Sequence, residues 1–156
     1  MLDLTTNPDT VNSVSHLIKL AVAPAFLLAS VGGLLGVFSG RLSRIIERFD
    51  KIDALLVSSQ ASSRNKIKVE KLNKQRRFLE KRADNMNRSI FFATATGILI
   101  AFSIITIFMS AFFVFDGSIL IATLFVMGML SLVLALSLFL REIFMATKFL
   151  KRDIVY

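Results

Sequence analysis

Three apolar segments without a charged residue constrain this chain more than any other feature of its sequence. A helix needs about 20 apolar residues to cross the hydrocarbon core of a bilayer. Segments 20–38, 90–115 and 118–140 reach that length, and each is apolar on all of its helical faces. Moreover, 54% of only 156 residues are hydrophobic, more than one small soluble core can bury. The sequence therefore predicts an all-α integral membrane protein with three transmembrane helices.

The basic residues are clustered, and their positions predict the orientation of the chain. Fourteen of the 19 Lys and Arg residues lie in segment 41–89, and four more follow residue 140. Segments that flank a membrane span on the cytoplasmic side carry an excess of Lys and Arg. We therefore expect a single membrane domain with its N-terminus outside and its C-terminus in the cytoplasm. Its predicted parts are an external tail 1–16, spans 17–40, 90–115 and 118–140, a cytoplasmic helical hairpin 41–89, an external turn 116–117 and a cytoplasmic tail 141–156.

Segment 41–89 has the periodicity of two amphipathic helices. Apolar residues recur at spacings of three and four after Gly40, and a second series with a seven-residue repeat runs into the second span. The first span is expected to continue past Gly40 as one helix, and the polar stretch 58–63 between the two series is typical of a turn. Two helices joined in this way predict an antiparallel coiled coil. Its predicted seam consists of Leu42, Ile45, Phe49, Ile52, Leu56, Val69, Leu72, Leu79 and Met86.

Arg76 falls on the same seam and has two interpretations. Its long stem could pack on the seam while the guanidinium reaches water or a carboxylate such as Glu80. Alternatively, it is a polar residue that fixes register or partner choice in an oligomer.

Small residues form the most specific pattern of the first span. Gly32, Gly36 and Gly40 recur every four residues, and Gly33 belongs to a second small-residue stripe beside them. Small residues allow two helix backbones to approach closely in lipid. The sequence therefore predicts a helix-packing face, and the partner is either another span of the same chain or a second copy.

Lys19, Ser30 and Arg41 lie on one stripe of the same helix, because eleven residues make close to three turns. Lys19 is at the edge of the span, where its stem could carry the ammonium to the interface. The alternative is a stripe that lines an anion-attracting pore between several copies.

Several classes of chemistry find little support in the sequence. The chain has no cysteine, and its single histidine, His16, has no second ligand at metal-binding spacing. It also lacks a phosphate-binding loop and a catalytic triad pattern, so we expect no cofactor and no enzymatic activity. Segment 41–89 should attract anionic lipid headgroups. Nucleic-acid binding is not expected, because the segment has almost no aromatic residues for base stacking.

Segment 16–48, HLIKLAVAPAFLLASVGGLLGVFSGRLSRIIER, resembles the opening of a bacterial membrane family known as domain of unknown function 2721. The resemblance extends over nearly the whole chain, through the basic helical region and the two closing spans. In that family Gln is the commoner residue at the position of Lys19. The resemblance implies a location in the bacterial inner membrane and brings no activity with it.

Two functional hypotheses follow from the sequence. In the first, the protein is a small homo-oligomer that forms an ion or small-solute permeation pathway, because one short chain is too small to enclose one. In the alternative, it is a membrane-anchored coiled-coil scaffold that recruits a cytoplasmic protein partner.

Overall fold

Three long helices make up the part of the chain that the structure describes. The computed structural model describes residues 8–60, 66–113 and 117–153. Helix α1 is Pro8–Gln60, α2 is Lys66–Phe113 and α3 is Ser118–Asp153. No strand occurs in these ranges.

Each helix contains a segment long and apolar enough to cross a membrane. These segments lie within Ser15–Ser58, Val69–Ser110 and Ser118–Ala146. The described residues are therefore all-helical, and the three predicted helices long and apolar enough to span a membrane are confirmed. All three helices are longer than the roughly 20 residues that a bilayer core requires.

Helix α1 is continuous through both Pro24 and Gly40. It begins at Pro8, inside the predicted external tail, because proline has the backbone angle of a first helical turn and needs no amide donor there. It ends at Gln60, so the predicted turn is wrong for residues 58–60, and residues 61–63 lie outside the described ranges. The Ser58 hydroxyl donates to the Leu55 carbonyl oxygen at 3.0 Å, which makes this polar residue compatible with a helix.

Helix α3 begins next to the predicted turn at Asp116 and Gly117. Gly117 is not helical, and its carbonyl oxygen accepts a hydrogen bond from the Ile121 amide at 2.9 Å. Asp116 lies outside the described residues, as do the last two residues predicted for the second span. At its other end α3 continues to Asp153, so the predicted tail 141–156 is helical over most of its length.

The chain forms two compact units, and all three helices contribute to both. The first contains the described residues of Met1–Gly33 and Thr94–Ser131. Within it, a Cβ built on Gly97 would lie 3.6 Å from Leu28, and a Cβ built on Gly128 would lie 3.4 Å from Ile100. Gly97 and Gly128 thus allow α2 to contact α1 and α3 closely.

The second unit contains the described residues of Leu34–Ala93 and Leu132–Tyr156. The aromatic rings of Phe38 on α1 and Phe139 on α3 contact each other, with centroids 4.5 Å apart. The buried apolar cluster of this unit combines Phe38, Ile45, Leu79, Met86, Ala93 and Ala135.

Buried residues recur every seven positions on each helix. On α1 the row is Pro24, Val31, Phe38 and Ile45. On α3 it is Gly128, Ala135 and Glu142. Helix α2 carries an apolar row and a polar row side by side. The apolar row consists of Leu72, Leu79, Met86, Ala93, Ile100 and Ile107. The polar row consists of Ser89, Thr96 and Ser103.

Candidate functional site

A buried ion pair joins α2 to α3 in the second unit. The guanidinium of Arg82 donates from Nη2 to Oε1 of Glu142 at 2.6 Å and from Nε to the same oxygen at 3.1 Å. The Glu142 side chain is 1% exposed and that of Arg82 is 15% exposed. Oε2 of Glu142 has no hydrogen-bond partner within the described residues. The carboxylate is therefore held through one oxygen in a place where water has little access.

Two further polar residues of α2 are buried on the same side as Arg82. Asn85 donates from Nδ2 to the Leu138 carbonyl oxygen at 2.9 Å, which makes a second polar contact between α2 and α3. The Ser89 hydroxyl bonds the Asn85 carbonyl oxygen at 3.1 Å within its own helix. Arg82 and Asn85 thus fix α3 against α2 by directional contacts, beyond what apolar packing specifies.

A basic groove lies beside this ion pair, between α1 and α2. Its volume is about 300 Å³. Arg82 contributes to it and also lies over the Phe78 ring, 5.7 Å from the ring centroid. The basic groove is lined by Arg48, Lys51, Ile52, Gln75, Phe78, Leu79 and Arg82. Three cationic side chains therefore share one cavity with three apolar ones.

The predicted seam residues lie in the second unit and are mostly covered. Ile45, Leu56, Leu72, Leu79 and Met86 are buried. Leu42, Phe49 and Ile52 pack against the cluster around Phe38, and Val69 is half-buried. Their side chains are therefore used largely for contacts inside the chain.

Arg76 forms an ion pair with a carboxylate on α1 rather than with Glu80 on its own helix. Its Nε lies 3.1 Å from Oδ1 of Asp53, and its guanidinium lies over the Phe49 ring at 5.2 Å from the centroid. Asp53 and not Glu80 is thus its partner, because α1 brings both an aromatic face and a carboxylate within reach. The side chain is 46% exposed, and its guanidinium has found a carboxylate, as in the first of the two interpretations.

The four glycines of the first span are exposed, and the space beside each is open among the described residues. A Cβ built on Gly32, Gly33, Gly36 or Gly40 would have no neighbouring atom within 4 Å. Phe38 of the buried row is about 200° around the helix from Gly36, at 100° per residue. These four residues, which we call the glycine face, thus lie opposite the side of α1 that packs inside the chain.

The predicted polar stripe of α1 stays a prediction. Lys19, Ser30 and Arg41 are all exposed. The Ser30 hydroxyl bonds the Phe26 carbonyl oxygen at 2.9 Å, and the Arg41 guanidinium lies 5.1 Å from the centroid of the Phe139 ring. Each of these two side chains therefore already has a local contact.

Sequence reasoning missed Glu142 and the special position of Arg82. Arg82 was one of many basic residues in segment 41–89, and Glu142 follows Arg141 just past the third span. The signal that could have found Glu142 is its place seven residues after Ala135 and fourteen after Gly128. A carboxylate on a row of small, buried residues indicates a buried charge that needs a partner.

Comparison with known proteins gives one match. A family model described as Protein of unknown function (DUF2721) matches residues 21–152. No curated protein and no solved structure matches the chain.

Proposed function

The chain belongs to the DUF2721 family of proteins of unknown function, and since membership brings no activity, we propose from its surfaces that it is a self-associating membrane scaffold. Copies of the chain pack against each other through the glycine face of α1. The proposal contains no catalytic step.

The observation that carries this proposal is a contrast between two sets of glycines. Gly97 and Gly128 touch neighbouring helices, so their lack of a side chain is used inside the chain. At Gly32, Gly33, Gly36 and Gly40 a Cβ would meet no atom of the described residues within 4 Å. Glycine inside a helix lowers helix stability by about 0.8–1.0 kcal/mol relative to alanine. Four glycines without a close neighbour inside the chain are therefore best explained by close packing against a second molecule.

A second copy fits this face by its chemistry. Lipid tails are as apolar as leucine, so helices in a bilayer gain by close backbone packing rather than by leaving the lipid. A four-residue spacing of glycines keeps the approach open over two turns of α1. Two copies of α1 can therefore pack along Gly32, Gly36 and Gly40.

The permeation pathway remains a prediction outside this proposal. Lys19, Ser30 and Arg41 carry no contact that favours a pore, and the exposed surfaces of the described spans are dominated by large apolar side chains such as Phe26, Phe102 and Leu130.

Recruitment of a cytoplasmic protein partner stays part of the scaffold hypothesis, but the surface that would bind the partner is not the predicted seam. Leu72 and Leu79 of the predicted seam are 8% and 6% exposed, so they are not available to a partner without unfolding. A partner would instead bind the charged, exposed side of segment 41–89.

The proposal is tested by the oligomeric state of purified protein in mild detergent, measured by light scattering. We expect the wild-type chain to be oligomeric and Gly36→Leu to shift it to monomer, because the leucine separates the two backbones. Gly36→Ala, which adds one methyl group, should give an intermediate shift.

Ala122→Leu provides the matched control. Ala122 is an exposed small residue on α3, a helix that does not carry the glycine face, and a comparable enlargement there should leave the oligomer intact. A wild-type chain that is monomeric at every concentration, or a Gly36→Leu variant that assembles like wild type, refutes the proposal.

A further inference from the structure

The basic groove combines positive charge and apolar surface in one cavity. Arg48, Lys51 and Gln75 are exposed, Ile52, Phe78 and Arg82 are half-buried, and Leu79 is buried. We propose that this groove binds the phosphate of an anionic phospholipid headgroup. The inference is independent of self-association through the glycine face.

The polar lining suits a phosphate group. A guanidinium offers paired N–H donors that match phosphate oxygens, and an ammonium adds a compact positive charge. Arg48 supplies the first, Lys51 supplies the second, and the Gln75 amide is a further donor. Arg82 donates from Nε and Nη2 to Glu142, so it contributes to the groove as a positioned guanidinium rather than as a free pair of donors.

Arg82 is already held in position before any ligand arrives. Glu142 accepts from both Nε and Nη2, and the Phe78 ring lies beside the guanidinium. A side chain that is fixed in the free protein loses less conformational entropy on binding. Lys51 is paired with Glu47 at 2.8 Å, but both side chains are mostly exposed, and such pairs exchange partners at little cost.

The apolar lining favours a lipid over a free phosphate ion. Ile52 and Phe78, the half-buried apolar residues of the groove, offer nothing to a hydrated ion but can contact the glycerol and the first acyl carbons of a lipid. The volume of about 300 Å³ is about ten times the ~30 Å³ occupied by a water molecule, enough for a phosphate with part of its glycerol.

The position along the helices agrees with a headgroup. Arg48 lies eight residues after the end of the first predicted span, and Arg82 lies eight residues before the start of the second. Eight helical residues rise about 12 Å, a distance that long Arg and Lys side chains can shorten toward the membrane surface.

The test measures binding of fluorescently labelled phosphatidylglycerol to the full chain in a neutral detergent, by fluorescence anisotropy. The variant Arg48→Gln with Lys51→Gln removes two charges from the groove. Its matched control, Arg44→Gln with Arg77→Gln, removes two exposed charges that do not line it. We expect the groove variant to raise Kd about tenfold, which corresponds to losing about one charge-assisted hydrogen bond, and the control to change it less than about twofold.

Three results overturn the inference, provided that circular dichroism shows both variants to be as helical as wild type. The first is an equal loss of affinity in the two variants, which indicates general attraction to the basic surface. The second is equal binding of labelled phosphatidylcholine, whose headgroup has no net charge. The third is displacement of the lipid by inorganic phosphate at concentrations comparable with the lipid, which identifies a site for free phosphate.

Discussion

Arg82 and Glu142 form an ion pair in a place where water has little access. The free-energy cost of removing one partner therefore depends on how well the remaining charge is solvated. Burying a lone charge costs several kcal/mol, whereas a paired charge recovers most of that cost from its partner. The same reasoning does not extend to Lys51 and Glu47, whose charges remain in water.

We predict that substitutions of Arg82 and Glu142 have strongly non-additive effects on the free energy of unfolding. Arg82→Met should lower the free energy of unfolding by about 3–5 kcal/mol, because it leaves the buried Glu142 carboxylate unpaired. Glu142→Leu should lower it by less, because the Arg82 guanidinium it leaves unpaired is only half-buried. The double variant should lose much less than the sum of the two, since no charge is then left in the site. Unfolding of the protein in mixed detergent micelles, followed by circular dichroism, measures the cycle.

Lys51→Met with Glu47→Leu provides the corresponding exposed pair as a control. Its single and double variants should change stability little and additively, because solvent screens the pair. If the Arg82 and Glu142 variants are also additive, the ion pair does not stabilise the contact between α2 and α3.

Helices follow directly from this sequence, but the roles of individual residues on them follow only in part. Uncharged apolar runs predict the three helices that are long and apolar enough to cross a membrane, and predicted seam residues such as Ile45 and Met86 are buried. Helix ends were less predictable, because a serine such as Ser58 can bond its own backbone and stay helical. The partner of Arg76 and the burial of Glu142 depend on which helices are neighbours, and a single sequence does not contain that information.

The two kinds of glycine should respond differently to the same enlargement. Gly128→Leu puts a large side chain against Ile100, Leu99 and the Thr96 carbonyl oxygen, all within 4 Å of the added Cβ. Overpacking of this kind costs about 1–3 kcal/mol, so the melting temperature of the detergent-solubilised protein should fall. The Cβ of Gly36→Leu would meet no described atom within 4 Å, so this variant should not lower the melting temperature by overpacking.

Enlarging a glycine on α3 should therefore affect the melting temperature, and enlarging a glycine on α1 should affect the oligomeric state. Gly128→Leu should lower the melting temperature with little effect on oligomeric state at low temperature, and Gly36→Leu should do the reverse. A Gly36→Leu variant that melts well below the wild-type monomer would mean that the glycine face is covered by the chain itself.

Over the whole molecule, helix length and charge distribution together predict which residues extend beyond the hydrocarbon core of a bilayer and on which side. α1 has 53 residues and α2 has 48, so each extends well beyond the part that the hydrocarbon core can hold. The additional residues of segment 41–89 carry most of the Lys and Arg, whereas Asp116 is the one charge between the second and third spans.

This asymmetry predicts that Ser58 faces the cytoplasm and Ser118 faces outward. The natural chain has no cysteine, so single Ser58→Cys and Ser118→Cys variants report their own accessibility without a background signal. Both serines are exposed in the structure, which makes either thiol reachable from its own side of the membrane. In intact cells a membrane-impermeant maleimide should modify the cysteine at 118 at once and the cysteine at 58 only after permeabilisation. Because the positive charges of segment 41–89 oppose its transfer across the membrane, modification at 58 in intact cells would reverse the whole arrangement and place the basic groove on the outer surface.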